Sequence, residues 1–434
     1  MFGELLSTDE LAEATGGAAW VRAMLDAEAA LAAASADCGV LPAEVAAEIE
    51  GKCHAAHVEP AALGRAARAG GNPVIPLVAG LRRDLSGPAA DWLHHGATSQ
   101  DVLDTAAVLV ARRAGALVDG HLAALADGCA ALAGRHRHTL VLARTLLQPA
   151  LPTTFGAKAA GWLVAALDAR RLLAEALGRL PASLGGAAGT LAAFGERGPA
   201  VLAAFARRLA LPEPLVPWHT ARQPVAAAGS ALSVVAATAA KITGDVALLM
   251  QAEVGEASEP APGGSSTLPH KRNPVAATLA GAAARRAVAL AAVLAGSVVA
   301  EHERPAGAWH AEWETLSELL ALAGGAAAHA AATVTGLEVD PAAMGANLRR
   351  VGPVLLAERV VLTLAPRIGR AAAVAVVDDA AAAPDFAAAL AADPRAGLGT
   401  GEVAELLDPA GYLGAAGAWV DRALAAHRSE VPLP

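Results

Sequence analysis

Aromatic side chains supply only 3% of this 434-residue chain, with one tyrosine, Tyr412. The core must therefore be built from smaller groups, and alanine, the best helix former, abounds. Cysteine is scarce as well. Cys38, Cys53 and Cys129 are an odd number with no Cys-x-x-Cys, which argues against a disulfide framework and against a thiolate zinc site. Positive charge is in deficit: Lys+Arg 33 against Asp+Glu 42 leaves a net charge of -9. That balance speaks against nucleic acid or an anionic membrane surface as partner, although a site can still be locally basic. Long uninterrupted apolar runs are missing. The most apolar, Ala287 to Ala300, holds 14 residues between charged clusters, short of the ~20 that a membrane span needs. The opening MFGELLSTDELAEA has no basic segment before an apolar run, so no signal peptide is expected. These absences together predict a soluble, cytoplasmic protein.

What is present points to helices. Hydrophobic residues reach 55% and charged ones 17%, which excludes a disordered chain. No segment alternates with period two and β-branched enrichment, so a central sheet is not expected. Helical segments are predicted over 7–40, 101–135, 153–180, 198–210, 224–256, 273–302 and 309–336. Thr98 or Ser99 suits the cap of the second, with Asp101 in its first turn. At 1.5 Å per residue that helix is ~50 Å long, the spine of a bundle. Prolines 353, 366, 384 and 409 break up the last part. The chain thus divides into an N-terminal helical domain (1–100), a central helical bundle (101–340) and a small C-terminal helical domain (341–434).

The densest chemistry lies in Gly263-Gly264-Ser265-Ser266-Thr267-Leu268-Pro269-His270-Lys271-Arg272-Asn273-Pro274. Its first half is too rich in glycine to be helical and predicts a mobile loop. Its second half sets one of only four lysines, an arginine and an asparagine at a predicted helix start. Cations there oppose the helix dipole unless an anion is bound. A serine near an ammonium and fixed donors suits a base of lowered pKa, with Lys271 and Asn273 stabilising a developing oxyanion.

This segment resembles the signature loop of the fumarase/aspartase superfamily, usually written with methionine where this chain has Leu268. His94-x-Gly-Ala-Thr-Ser-Gln-Asp-x-x-Asp104-Thr105 resembles a second signature region, and Arg144-Thr145-x-x-Gln148 a third. The resemblance implies an all-α, three-domain fold with a central long-helix bundle that tetramerises, each active site being built from three subunits. It implies Ser265 as catalytic base, with no cofactor and no metal. Gly185 to Leu191, Pro217-Trp218-His219-Thr220, Glu301 to Leu316 and Leu407 to Gly414 look like the versions in bacterial 3-carboxy-cis,cis-muconate cycloisomerases.

Catalytic roles accordingly fall to Ser265, Lys271 and Asn273. Substrate carboxylates fall to His94, Thr98, Ser99, Arg144, Thr145, Gln148, Ser266 and Arg304, since a guanidinium suits bidentate recognition. His95 is expected to pack, His136 and His138 to cap or solvate a helix end, Trp309 and Trp313 to lie in the core, and His219 to line the site. His302, His310, Glu303 and Glu312 lack a metal-ligand spacing, and Gly185, Gly186 and Gly189 follow no strand and form no dinucleotide loop.

Two departures from the pattern matter. Relatives such as adenylosuccinate lyase carry after Arg-Thr a histidine that protonates the departing group, and this chain has Leu146. An amine or hydroxide needs that proton, whereas a carboxylate, whose conjugate acid has pKa ~4, departs without it. The other departure is Arg222-Gln223-Pro224, where many relatives read Arg-Asp-Arg. The predicted reaction is lactone closure and opening on a polycarboxylate. The rivals are elimination from a substituted succinate with a weakly basic leaving group such as nitrite, and a non-catalytic structural homologue.

Overall fold

The computed structural model describes residues 2–429. Its scaffold is six long helices: α1 (Gly17–Asp37), α2 (Ser99–Arg135), α3 (Phe155–Gly178), α4 (Gln223–Leu249), α5 (Val275–Gly296) and α6 (Ala308–Thr335). α2, α3, α4, α5 and α6 pack side by side as the bundle, and α1 lies against α2. Small residues permit this closeness. Gly324 of α6, for example, faces Leu11 and Val118 so tightly that a Cβ would clash with both.

The segment expected to be one helix over 7–40 is split. A short helix, Asp9–Thr15, ends at Gly16 in extended conformation before α1 begins. Thr8 caps that short helix by accepting from the Leu11 N–H. α4 and α5 also stop earlier than predicted, at Leu249 and Gly296.

Little sheet is present, but what there is was missed in the sequence. Strands β1 (Leu140–Thr145) and β2 (Gln148–Thr154) form an antiparallel hairpin whose last pair is Thr145 with Gln148. Pro149 and Pro152 in β2, and a register shift between Leu142 and Arg144, hide the alternation that marks a strand. Strands β3 (Ala257–Ser258) and β4 (Glu338–Val339) tie the loop after α4 to the end of α6.

Three helices overturn the expectation about apolar length. α2, α4 and α5 contain 18-residue windows of mean hydropathy 1.3, 1.6 and 1.5, and by length and composition alone are long enough to cross a membrane. These windows hold at most two charged residues each, and polar or small residues within them break up the apolar run. α4 and α5 leave Val234, Leu248, Val288 and Val293 exposed. Between them runs a groove of about 810 Å³, lined mainly by small residues together with Lys241 and Arg285.

A large apolar core threads the bundle and the N-terminal helices. A second, separate cluster is built around Val360, Leu364, Val376, Phe386 and Leu390.

Candidate active site

The expected site residues form three groups. The first lies at the N-terminal end of α2. Thr98 is the N-cap, and its N–H donates to Asp101 Oδ2 at 2.9 Å. Asp101, 1% exposed, also accepts from the backbone N–H of Gly185 (2.7 Å) and Gly186 (2.9 Å) and meets His219 Nε2 at 2.6 Å. One carboxylate thus fastens the Thr98–Ser99 turn to the 185–187 and 217–220 segments. Next to it, Gln100 donates to the His219 carbonyl (2.8 Å) and accepts from Arg304 Nε (3.1 Å). Arg304 also donates to the Ala187 carbonyl. Both of these partners are neutral.

Below this group, Arg222 is 1% exposed and binds Asp104 and Glu312 together, Nη1 lying 2.8 Å from Asp104 Oδ2 and Nε 3.0 Å from Glu312 Oε1. Trp309 donates to Asp104 at 2.9 Å and the Trp218 ring stacks on the guanidinium. Arg222, which the departing stretch Arg222-Gln223-Pro224 keeps in common with Arg-Asp-Arg, is the clamp beneath the site, and Glu312 is one of its two carboxylates. Burial pushes the Glu312 carboxyl above the usual range, against the pull of Arg222. Trp309 and Trp313 stack edge to face and His95 packs between Trp92 and Phe194, as expected. Gly96 adopts φ 72 against that Phe194 ring, where a Cβ would collide.

The second group is the signature loop, closed at its base by paired hydrogen bonds between Gly263 and Asn273 (2.9 and 2.7 Å). Asn273 Nδ2 donates to the Gly264 carbonyl at 3.1 Å. Ser265 Oγ accepts from the N–H groups of Thr267 (3.2 Å) and Leu268 (3.1 Å). Two amides aimed at one hydroxyl oxygen favour its deprotonated form. Ser266 and Lys271 are exposed, and Ser265 is half-buried.

The anion expected at this helix start belongs to the chain itself, not to a ligand. α5 begins at Val275, after the cations, and its first N–H groups bind Glu259: Ala277 N–H donates at 2.8 Å and Ala276 N–H at 3.3 Å. Glu259, 1% exposed, is the anion at the helix end. Lys271 stands in the loop ahead of it, so its ammonium is available to a ligand.

The third group is the β1–β2 hairpin. Thr145 and Gln148 are exposed at its tip, joined by Leu146 (φ 51) and Leu147 (φ 65). Left-handed angles at both turn residues make a type I′ turn, which ordinarily selects Asn-Gly. Here it carries two leucines, 97% and 72% exposed. Arg144 does not face a free site. Its guanidinium makes two bonds to Glu256, at 2.7 and 2.9 Å, and Asn347 donates to the same carboxylate at 2.7 Å.

Within one chain the first group stays apart from the other two. The 37 residues of α2 separate Thr98 from the hairpin by about 55 Å. The hairpin and the base of the signature loop share the far end, joined through Arg144 and Glu256. Among the described residues no hydrogen bond links Ser265, Lys271 or Asn273 to the Thr98 group.

Comparison with known proteins decides the family. Residues 6–289 match the lyase family and residues 353–423 the family described as adenylosuccinate lyase C-terminus. The chain belongs to the fumarase/aspartase type of lyase. This lyase is 46% identical over 423 residues to the 3-carboxy-cis,cis-muconate cycloisomerase of Pseudomonas aeruginosa, covering 94% of this chain and 92% of that one. It is 43% identical over 440 residues to the nitrosuccinate lyase of Streptomyces davaonensis, covering 96% and 93%. The crystal structure of the 3-carboxy-cis,cis-muconate lactonizing enzyme from Pseudomonas putida matches with TM-score 0.92 and 39% identity over 99% of each chain.

Sequence reasoning missed Glu28, Glu256 and Glu259, and Asp104 as a partner of Arg222. Each is an acid in an apolar setting, and a buried charge needs a partner. That was the available signal.

Proposed function

We propose that this lyase is a cofactor-independent 3-carboxy-cis,cis-muconate cycloisomerase. One substrate carboxylate adds across a double bond, closing the lactone ring, while the adjoining carboxyl gathers negative charge as an aci-carboxylate. Lys271 and Asn273 stabilise that charge, and the Ser265 hydroxyl protonates the carbon. In reverse, Ser265 as alkoxide takes the proton and the ring carboxylate departs. The Thr267 and Leu268 amides support the alkoxide, and closure of the loop over substrate excludes water from it. His94, Thr98, Ser99, Ser266, Arg304, Thr145 and Gln148 are proposed contacts for the substrate carboxylates. Arg144 is proposed to act there by holding the hairpin.

Leu146 is the observation that carries a reaction whose leaving group departs unprotonated, and the relatives of 39–46% identity named as 3-carboxy-cis,cis-muconate cycloisomerases support this one. Leu146 sits at the hairpin tip where a proton donor for the leaving group would stand, and carries no proton. A carboxylate leaving group needs none.

The separation along α2 supports a homotetramer with shared sites, because another copy is needed to bring the Thr98 group to the loop and the hairpin. The exposed apolar faces of α4 and α5 and the groove between them suit burial against another copy. We infer that the chain keeps its three-part division, takes no nucleic-acid or membrane partner and works in the cytoplasm, where its three free cysteines remain reduced.

A second reading is elimination of nitrite from nitrosuccinate, favoured by the Streptomyces relative and equally compatible with Leu146. Purified protein given 3-carboxymuconate should show loss of the diene absorbance. Turnover of nitrosuccinate with nitrite release, and none of carboxymuconate, would replace the first reading by the second.

A further inference from the structure

His94 adopts φ 63, a left-handed angle that a side-chain-bearing residue keeps only when its surroundings impose it. Its Nδ1 lies 2.6 Å from Oε1 of Glu28 on α1. The Glu28 side chain is 0% exposed, on the alanine-rich buried face of α1, and its Oε2 has no partner. A carboxylate placed there is tolerated only with a counter-charge in contact. Cys53, the titratable neighbour on the other side, supplies none, because burial and the Glu28 charge push its thiol up to about 12.

Three charged groups act on His94: Glu28 from α1, Asp101 from α2 and Arg82 from the helix Val74–Arg83. Burial draws the imidazole pKa down. Glu28, by charge and hydrogen bond, and then Asp101 outweigh it, with Arg82 opposing, so the net direction is upward. No described group bonds Nε2, and the Thr98–Ser99 turn follows four residues on.

We propose that Glu28 is a positioning residue that keeps His94 as an imidazolium, Nδ1–H donating to Oε1, so that Nε2–H is offered as a cationic donor to a substrate carboxylate. The substrate in this statement rests on the cycloisomerase reading; the Glu28–His94 link does not.

Glu28→Gln preserves shape and removes the charge. The expected result is a fall in kcat/KM of about tenfold or more, carried mainly by KM, the scale of one hydrogen bond to a charged group. The alkaline limb of its pH profile moves to lower pH, since a histidine without its carboxylate loses its proton earlier. Glu28→Asp restores part of both. A lowered melting temperature with an unmoved pH profile overturns the proposal. Should Glu28→Gln fail to fold, wild-type protein carrying labelled histidine decides. The His94 imidazole, assigned by its loss in His94→Gln, should titrate above the ordinary histidine range by NMR, and titration at or below that range overturns the link. A wild-type protein inert toward carboxymuconate overturns the function instead and leaves the NMR result standing.

Discussion

Arg144 and Glu256 form a two-point ion pair, at 2.9 and 2.7 Å, between the hairpin just behind its tip and the segment that leads into the signature loop. The Glu256 side chain is 0% exposed, so Arg144 is first of all its counter-ion. Arg144→Ala should lower stability by about 3 kcal/mol, the cost of leaving a buried carboxylate without its partner, as read by urea unfolding. A variant with unchanged stability and a raised KM would return Arg144 to direct substrate binding.

The distance along α2 sets a second expectation. Ser265→Ala and a Thr98→Val variant should each be nearly inactive alone. Unfolded together and refolded as a mixture, they should recover activity, because random assortment gives roughly a quarter of shared sites both native groups. Mixtures no more active than either variant would place each site within one chain.

Leu146 and Leu147 hold angles that favour glycine. Replacing Leu146 by Gly should leave the melting temperature unchanged or raise stability by up to about 1 kcal/mol through relief of strain. It should also reduce kcat/KM, because the tip loses the apolar surface it brings to a neighbouring site. Full activity in Leu146→Gly would show the turn to be mere linkage.

Burial draws the His121 imidazole below the usual histidine range, with Glu10 opposing, and its Nε2 is enclosed without a partner. A depressed folded-state pKa means that His121 contributes stability above its unfolded value of ~6.5. That contribution is lost as pH falls through the folded value. Unfolding free energy measured from neutral to mildly acid pH should therefore decline less in His121→Leu than in wild type. Equal declines would contradict the assignment.

Much of this architecture was legible in the sequence for physical reasons. Alanine-rich segments of 20 or more residues have few stable states besides packed helices, so the positions of α2 to α6 could be read directly. The glycine- and proline-flanked Ser265 loop declared itself by composition. The hairpin did not, because its strands carry prolines and its turn uses leucines where Asn-Gly is the recognisable signal. Nor did the acids that organise the site. Asp101 looked like a helix-start carboxylate, yet its partners at Gly185, Gly186 and His219 are distant in sequence. Glu259 shows the limit most plainly: the helix dipole correctly demanded an anion, and the chain supplied it from 17 residues upstream of Ala276.

The central claim is that the Ser265 hydroxyl moves the substrate proton. Ser265→Ala removes that oxygen from an exposed loop and leaves the bundle untouched. Its kcat with 3-carboxymuconate should fall by about a hundredfold to ten-thousandfold, with oligomer mass and melting temperature as in wild type. The lactone incubated with it in deuterated buffer should take up no deuterium at the carbon that wild type exchanges. Retained turnover or retained exchange in Ser265→Ala would contradict the account.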